Sequence, residues 1–295
     1  LIMVETETES GGKPAPHQLL AALQGFPLEG VYLLEEVGST QDEARRKLKE
    51  KRSVLVLAER QRRGRGRAGQ AWESPAGGLW FSLGFRLPRP RRTPGSAASM
   101  TASTSAATAS ATVPLSLLAL LAGVAAARAL RALGFAAGLK WPNDILVDGK
   151  KVGGILVELE PADAAGSQWV VVIGIGINVN IPEGELQGRL DIRAGTLMAI
   201  AGRPLDRGEV LLRILREFFP LWDLWQEGRV EPVLRGWEEL NLTLNREVGV
   251  LTTDGRRIRG TAVGLDRDGA LLIRTPDGHP WRVSEGHLAF ADRES

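Results

Sequence analysis

The segment Ile173-Gly174-Ile175-Gly176-Ile177-Asn178-Val179-Asn180 constrains the fold of this chain more than any other. Apolar β-branched residues alternate with glycine at period 2, the side-chain period of a β-strand. One face of such a strand is apolar and the other is nearly bare. Glycine inside a strand marks a place where a ligand or another element comes close to the backbone. The bare face therefore admits either a flat ligand or a tightly packed helix.

A second segment suggests which chemistry lies nearby. Residues 53–58 and 79–85 are apolar and β-branched or aromatic, and read as strands. Between them runs Gln61-Arg62-Arg63-Gly64-Arg65-Gly66-Arg67-Ala68-Gly69-Gln70-Ala71-Trp72. Glycine permits φ > 0 and close approach of the main chain to a ligand. Arginine supplies a planar, always-charged fork that matches carboxylate and phosphate oxygens. A loop built this way suits closure over a small anionic molecule. Gly64, Gly66 and Gly69 also fit the G-x-G-x-x-G spacing of a dinucleotide-binding turn. That motif needs a helix directly after the glycines, whereas Trp72-Glu73-Ser74-Pro75 opens a turn followed by a strand. An Arg/Gly nucleic-acid tail would be long and unstructured; this segment is short and lies between strands. A solvated hairpin loop with no role stays open until the rest of the chain is read.

The 295 residues suffice for one large domain and one small one. There is no cysteine, which excludes disulfides, thiolate metal sites and cysteine nucleophiles. The net charge of +2 is weak evidence for a nucleic-acid partner. The longest apolar run, residues 113–127, is short for a bilayer span, and no secretory signal pattern opens the chain. The expectation is a cytoplasmic protein without membrane attachment.

Along the chain, residues 17–24 read as a short helix and 31–37 as a strand. Ser39 or Thr40 can cap a helix over 41–51, with Asp42 and Glu43 in its first turn. Residues 95–112 are almost all Ala, Ser and Thr, and 88–112 is expected to be a disordered loop. Residues 114–133 form a helix that begins at proline and stops at Gly134. Two apolar runs, 138–147 and 150–159, flank Asp148-Gly149 and read as one β-hairpin. A further strand covers 169–179. Residues 205–227 and 230–241 are amphipathic helices whose Trp222, Trp225 and Trp237 belong to the core. Beyond 247, short strands at 248–252, 257–265, 270–275 and 280–284 are punctuated by Asp-Gly turns. Their spacing suggests a small five-stranded barrel.

Four motifs now stand in order: Gly38-Ser39-Thr40-Gln41; the Arg-Gly loop ending at Trp72; Lys140-Trp141-Pro142-Asn143-Asp144 with Lys151-Val152-Gly153-Gly154-Ile155; and the Gly/Ile strand through Asn180. Together they resemble the biotin–protein ligases, also called biotin–[acetyl-CoA-carboxylase] ligases, over residues 28–241 and into the C-terminal strands. The resemblance implies an α/β (α+β) fold: a mixed, largely antiparallel sheet backed by helices, as in class II aminoacyl-tRNA synthetase-like catalytic domains. An SH3-like barrel would follow. The implied division is a flexible segment 1–27, a catalytic domain 28–245 and a barrel 246–292.

The resemblance further implies a two-step reaction. Biotin is activated with ATP and Mg²⁺ to biotinyl-5′-AMP, then transferred to a lysine of a biotin carboxyl carrier domain of acetyl-CoA carboxylase or a related enzyme. No side-chain nucleophile is required, in keeping with the missing cysteine. Ser39, Thr40 and Gln61 would bond the ureido ring of biotin, with Gly64, Arg65 and Gly66 along it and Gly154 leaving room for the bicycle. Lys151 would bridge the biotin carboxylate and the α-phosphate. Arg67 would fold down on the intermediate. Lys140 and Asn143 would face the polyphosphate, Asp144 its Mg²⁺, and Asn178 and Trp72 the adenine. Trp141 and Pro142 read as structural. Ala68 and Gln70 replace arginines that bacterial members often carry, which puts the ordering of the loop in question. A lipoate or octanoate ligase of the same fold is the nearest enzymatic alternative. A biotin-responsive repressor is the alternative of another class; with no recognition helix in the short N-terminal segment, DNA binding is not expected. Either a monomer or a homodimer is compatible with the sequence.

Overall fold

Val54, Val56 and Ala58 turn to one side of a strand while Leu55 turns to the other, and two apolar layers result. The computed structural model describes residues 3–7, 17–88, 115–162, 167–186 and 193–290. Its strands are β1 Met3–Glu7, β2 Gly30–Val37, β3 Ser53–Gln61, β4 Leu79–Pro88, β5 Ala137–Lys140, β6 Asp144–Val147, β7 Lys150–Pro161 and β8 Gln168–Ile177. The helices are α1 His17–Leu23, α2 Thr40–Lys47, α3 Leu115–Ala132, α4 Leu197–Ala201, α5 Arg207–Gln226 and α6 Glu231–Leu240. Five further strands follow: β9 Glu247–Thr252, β10 Arg257–Leu265, β11 Leu271–Arg274, β12 Pro280–Val283 and β13 Gly286–Phe290.

The first eight strands make one mixed sheet in the order β1-β2-β3-β4-β8-β7-β6-β5. β1, β2 and β3 run parallel, and every later pairing is antiparallel. Helix α3 lies across β5, β6 and β7 and is backed by α5 and α6. Phe85 stacks on Trp222 at 4.0 Å between ring centroids, and Phe218 and Trp225 extend the aromatic layer. Among the described residues the other face carries α2, where Ala44 and the capping Leu48 join Val54, Val56 and Val172 in a second apolar cluster. The remaining strands form a five-stranded antiparallel sheet, β12-β11-β10-β9-β13, in keeping with the five-stranded unit expected from the Asp-Gly turns and the SH3-like barrel that the resemblance implies. Val248, Val250 and Leu271 join the same apolar cluster as α3 and β4, so one core runs through both sheets.

The structure departs from the sequence reading at several points. The segment 1–27, expected to be flexible, contains β1 and α1; β1 pairs with β2 from Met3 opposite Gly30 to Glu7 opposite Leu34. An edge strand needs only backbone pairing, so its polar sequence carried little periodic signal. Residues 138–147 are not one strand. Pro142 has no N–H for a ladder, the chain reverses there, and β5 pairs with β6 as a hairpin of its own. The second hairpin turns at Asp148 and Gly149, φ +50° and +72°, as Asp-Gly chemistry requires. The fifth strand of the small sheet, β13, and helix α4 had no clear signal. Apart from Pro88, the loop 88–112 lies outside the described residues. Among the described residues no helix is long and apolar enough to cross a membrane.

Candidate active site

The Arg-Gly loop folds into a short hairpin. Gln61 N donates to Ser74 O (3.1 Å), Trp72 N to Gly64 O (2.9 Å) and Gly66 N to Gln70 O (2.7 Å). Gly64 has to be glycine, because a Cβ there would lie 2.3 Å from the Trp72 carbonyl oxygen. The tip turns at Ala68 and Gly69, both at positive φ. For Ala68 that conformation costs about 1–2 kcal/mol.

The two loop arginines leave in different directions. Arg65 donates to both carboxylate oxygens of Asp42 at 2.8 Å and reaches Glu158 at 3.4 Å. The same bond from Arg65 holds the Asp42 carboxyl below its ordinary range. The pair is therefore intact at neutral pH and is lost only as pH falls below that range. Arg67 Nη1 donates to the Gly286 carbonyl on β13 at 3.1 Å. Burial pulls the Arg67 pKa below the usual guanidinium value, against the opposing pull of Glu285 and Asp144. Arginine stays charged regardless.

Between these anchors lies a cavity of about 600 Å³, a size that holds a small ligand. Thr40, Gln61, Arg65, Gly66, Arg67, Trp72, Lys140, Asn143, Asp144, Lys151 and Gly154 line it. Thr252 and the stretch Ser284 to Leu288 wall it from the C-terminal sheet.

The bare face of β8 is covered twice. Gly174 lies under Gln41 of α2, whose Cδ would be 3.0 Å from an added Cβ. Gly176 lies under Trp72, whose Nε1 would be 2.8 Å from such an atom. Gly154 on β7 also faces this indole, at 3.0 Å. The room that Gly154 provides is thus taken by Trp72 in this structure. Trp72 Nε1 is buried and has no hydrogen-bond partner.

A neutral polar group borders the cavity. Thr40 N and Oγ1 both donate to Gln61 Oε1, at 2.9 and 3.1 Å, and Gln61 Nε2 donates to Ser74 Oγ at 2.9 Å. The cations form a second group. Lys151 Nζ sits 2.5 Å from Asp144 Oδ1, with both side chains only 14% exposed, and 5.3 Å from the Trp72 ring centroid. Lys140 is 2% exposed, with Nζ 5.4 Å from the Phe290 ring centroid. With Arg65 and Arg67 these lysines put four cations on one cavity, and such a set attracts an anion strongly where water is scarce.

Three residues expected at the site, Ser39, Gly64 and Asn178, do not line the cavity. Ser39 is buried and caps α2, its Oγ accepting from Gln41 N at 3.3 Å. Asn178, expected at the adenine, is 4% exposed and its Nδ2 donates to Gly195 O at 3.0 Å. Its amide holds the chain that follows β8. Asn143 lines the cavity but also staples β7, its Nδ2 donating to Ile155 O at 2.8 Å. Asp144 heads β6 and pairs with Lys151. Trp141 is fully buried, as expected of a structural residue. Reasoning from sequence did not find Gln41, Glu158, Glu285 or Gly286. Asp42 was visible only as an acid in a first helical turn.

Comparison with known proteins converges on one family. Residues 34–178 match the model of the biotin/lipoate A/B protein ligase family, and residues 243–284 match the biotin protein ligase C terminal domain. The bifunctional ligase/repressor BirA of Bacillus subtilis is 33% identical over 76% of this chain, a match spanning 62% of that protein's length. BirA of Escherichia coli is 33% identical over 95% of this chain and 81% of its own. Among solved structures, the biotin protein ligase from Aquifex aeolicus in complex with biotin and ATP superposes with a TM-score of 0.70 at 32% identity, covering 90% of this chain and all of that one. With its motif order, its mixed sheet and its small C-terminal sheet, the chain belongs to the biotin/lipoate A/B protein ligase family, and within it to the biotin–protein ligases.

Proposed function

We infer that this chain joins biotin to ATP, giving biotinyl-5′-AMP and pyrophosphate, and then passes the biotinyl group to a carrier lysine. The acceptor would be a biotin carboxyl carrier domain of acetyl-CoA carboxylase or a related biotin-dependent enzyme, met in the cytoplasm. The observation that carries this reading is the cavity in which Lys151, Lys140 and Arg67 converge beneath the Arg-Gly hairpin.

In the first step a biotin carboxylate oxygen attacks the α-phosphorus and pyrophosphate leaves. In the second the carrier amine attacks the anhydride carbonyl carbon and AMP leaves with the bonding electrons. Both nucleophiles come from substrates, so the protein has to neutralise charge, align the reactants and exclude water. Lys151 suits the place where carboxylate and phosphate meet, since the Asp144 carboxylate holds its ammonium in place at 2.5 Å. Arg67 is held by a neutral carbonyl, so it can exchange that partner for an anionic oxygen at a net gain. Lys140 would meet the outer phosphates. Thr40 and Gln61 offer the neutral donors and acceptors that a ureido ring matches. Ser39 would act on that ring through the start of α2.

The reading includes Mg²⁺. Among the described residues no cluster of three or more His, Asp or Glu side chains could hold a metal by itself. Asp144 is a single carboxylate beside a lysine, which fits an ion shared with ATP phosphates rather than a protein cage. Asp144 would hold it, and the ion would supply further neutralisation of phosphate charge.

Transfer of labelled biotin to a purified carrier domain, with calorimetry against biotin and lipoate, tests the assignment. We expect transfer with ATP and preference for biotin; no transfer, or preference for lipoate, would overturn it. Arg67→Ala is expected to release the activated intermediate, so that AMP appears in the absence of carrier. AMP release at the wild-type rate would remove Arg67 from that role.

A further inference from the structure

The neutral group that borders the cavity continues behind it into the core. Ser82 lies in the middle of β4, opposite Val56 of β3 and Gly174 of β8. It is 0% exposed, and Val54, Val56 and Val172 make the α2 face of the sheet apolar around this level. A hydroxyl in such a place adds little to packing and is costly to bury without a partner. Its partner is Thr40, at the start of α2: the two hydroxyl oxygens are 2.8 Å apart.

The direction of this bond follows from its neighbours. The Thr40 backbone N–H can only donate, and it points at Gln61 Oε1 at 2.9 Å, so the Gln61 carbonyl oxygen faces Thr40 and its NH₂ faces Ser74. Thr40 Oγ1 lies 3.1 Å from the same carbonyl oxygen and has to donate to it. A threonine hydroxyl has one proton and two lone pairs. With that proton committed to Gln61, Thr40 accepts from Ser82, and one lone pair is left on a residue that lines the cavity. We propose that Ser82 is a positioning residue that sets specificity from behind the site: it locks the Thr40 hydroxyl between β4 and Gln61, so that Thr40 meets the substrate as a hydrogen-bond acceptor. Such a site selects a ring that carries an N–H, as a cyclic urea does, over a ring with no donor. The choice of biotin as that ring rests on the proposed function; the lock between Ser82 and Thr40 does not.

Ser82→Ala removes the donor and leaves a smaller side chain that the strand can hold. Pyrophosphate release under steady-state conditions is measured at varied biotin and at varied ATP. The KM for biotin is expected to rise by about three- to tenfold, the range of one neutral hydrogen bond, with kcat and the KM for ATP unaltered. Thr40→Val deletes the hydroxyl through which Ser82 acts. In that background Ser82→Ala should weaken biotin no further. In urea titrations without ligand, Ser82→Ala should likewise lose less stability beside Thr40→Val than alone, because Ser82 has then already lost its acceptor. An unchanged KM for biotin in Ser82→Ala, an equal rise for ATP, or the same loss of stability with and without the Thr40 hydroxyl would overturn the proposal. Wild-type protein that binds no biotin would instead sink the functional reading, and the ligand-free titrations would still decide whether Ser82 holds Thr40.

Discussion

Lys151→Ala is expected to slow adenylate formation by about a hundredfold or more, the loss typical when a preorganised charge is removed from a developing anion. A hundredfold corresponds to about 2.7 kcal/mol of barrier. Two features make the expected loss large. The Lys151 side chain is mostly withdrawn from water, so its charge acts at low local dielectric. Its removal also strips the Asp144 carboxylate of its ion-pair partner and turns a cationic corner of the cavity acidic, opposing both biotin and ATP. Lys151→Arg should recover little, because the Trp72 indole lies close against this side chain and a broader planar head would have to displace it. Pyrophosphate release in single-turnover assays measures the effect, with near-ultraviolet circular dichroism to show that the core is intact. Release near the wild-type rate would reduce Lys151 to a structural partner of Asp144.

Trp141→Ala is expected to destabilise the chain by about 3–5 kcal/mol, the usual cost of emptying a fully buried tryptophan site. Trp141 is 0% exposed. Its indole Nε1 donates to Gly269 O at 3.1 Å, and its backbone N donates to Thr243 Oγ1, which anchors the chain just before β9. Gly269, at φ +79°, comes so close to α3 that a Cβ would lie 2.8 Å from Leu120. The indole thus fills the seam between the two sheets. Trp141→Phe keeps most of the apolar volume and gives up one hydrogen bond, so about 1–3 kcal/mol is expected, since the Gly269 carbonyl loses this buried donor. Denaturant titration separates the two variants. A loss below about 1 kcal/mol in Trp141→Ala would show that the seam does not depend on this side chain. Activity should fall with stability, because the small sheet supplies both the Gly286 carbonyl and the cavity wall from Ser284 to Leu288.

Much of the cavity lining was legible from local signals. Lys140, Asn143, Asp144, Lys151 and Gly154 fall on one three-stranded meander, but Lys151 and Gly154 are three apart and reach one side only through the register shift between β6 and β7. Thr40 and Gln61 lie at the start of a helix and the end of a strand that the pattern had placed. Asn178 lies off the cavity lining for a physical reason. It closes a strand whose glycines do face the site, yet its amide turns away to satisfy the Gly195 carbonyl. Nothing along the strand distinguishes those two outcomes. The break at Pro142 was similarly obscured, because apolar residues continue on both sides of it.

The order of residues alone determined the strand period at Ile173 to Ile177, the Asp148-Gly149 turn, the backbone freedom of the Arg-Gly segment and the charges set within it. These properties belong to a few adjacent residues, so short-range sterics and side-chain chemistry suffice to specify them. Only the tertiary structure decided that Trp72 covers Gly176, that Arg65 turns to Asp42 while Arg67 turns to β13, and that the small sheet closes the cavity. Such choices set many similar donors, acids and apolar faces against one another. Packing of segments far apart in the chain selects among them, and that selection leaves no periodic trace in the sequence.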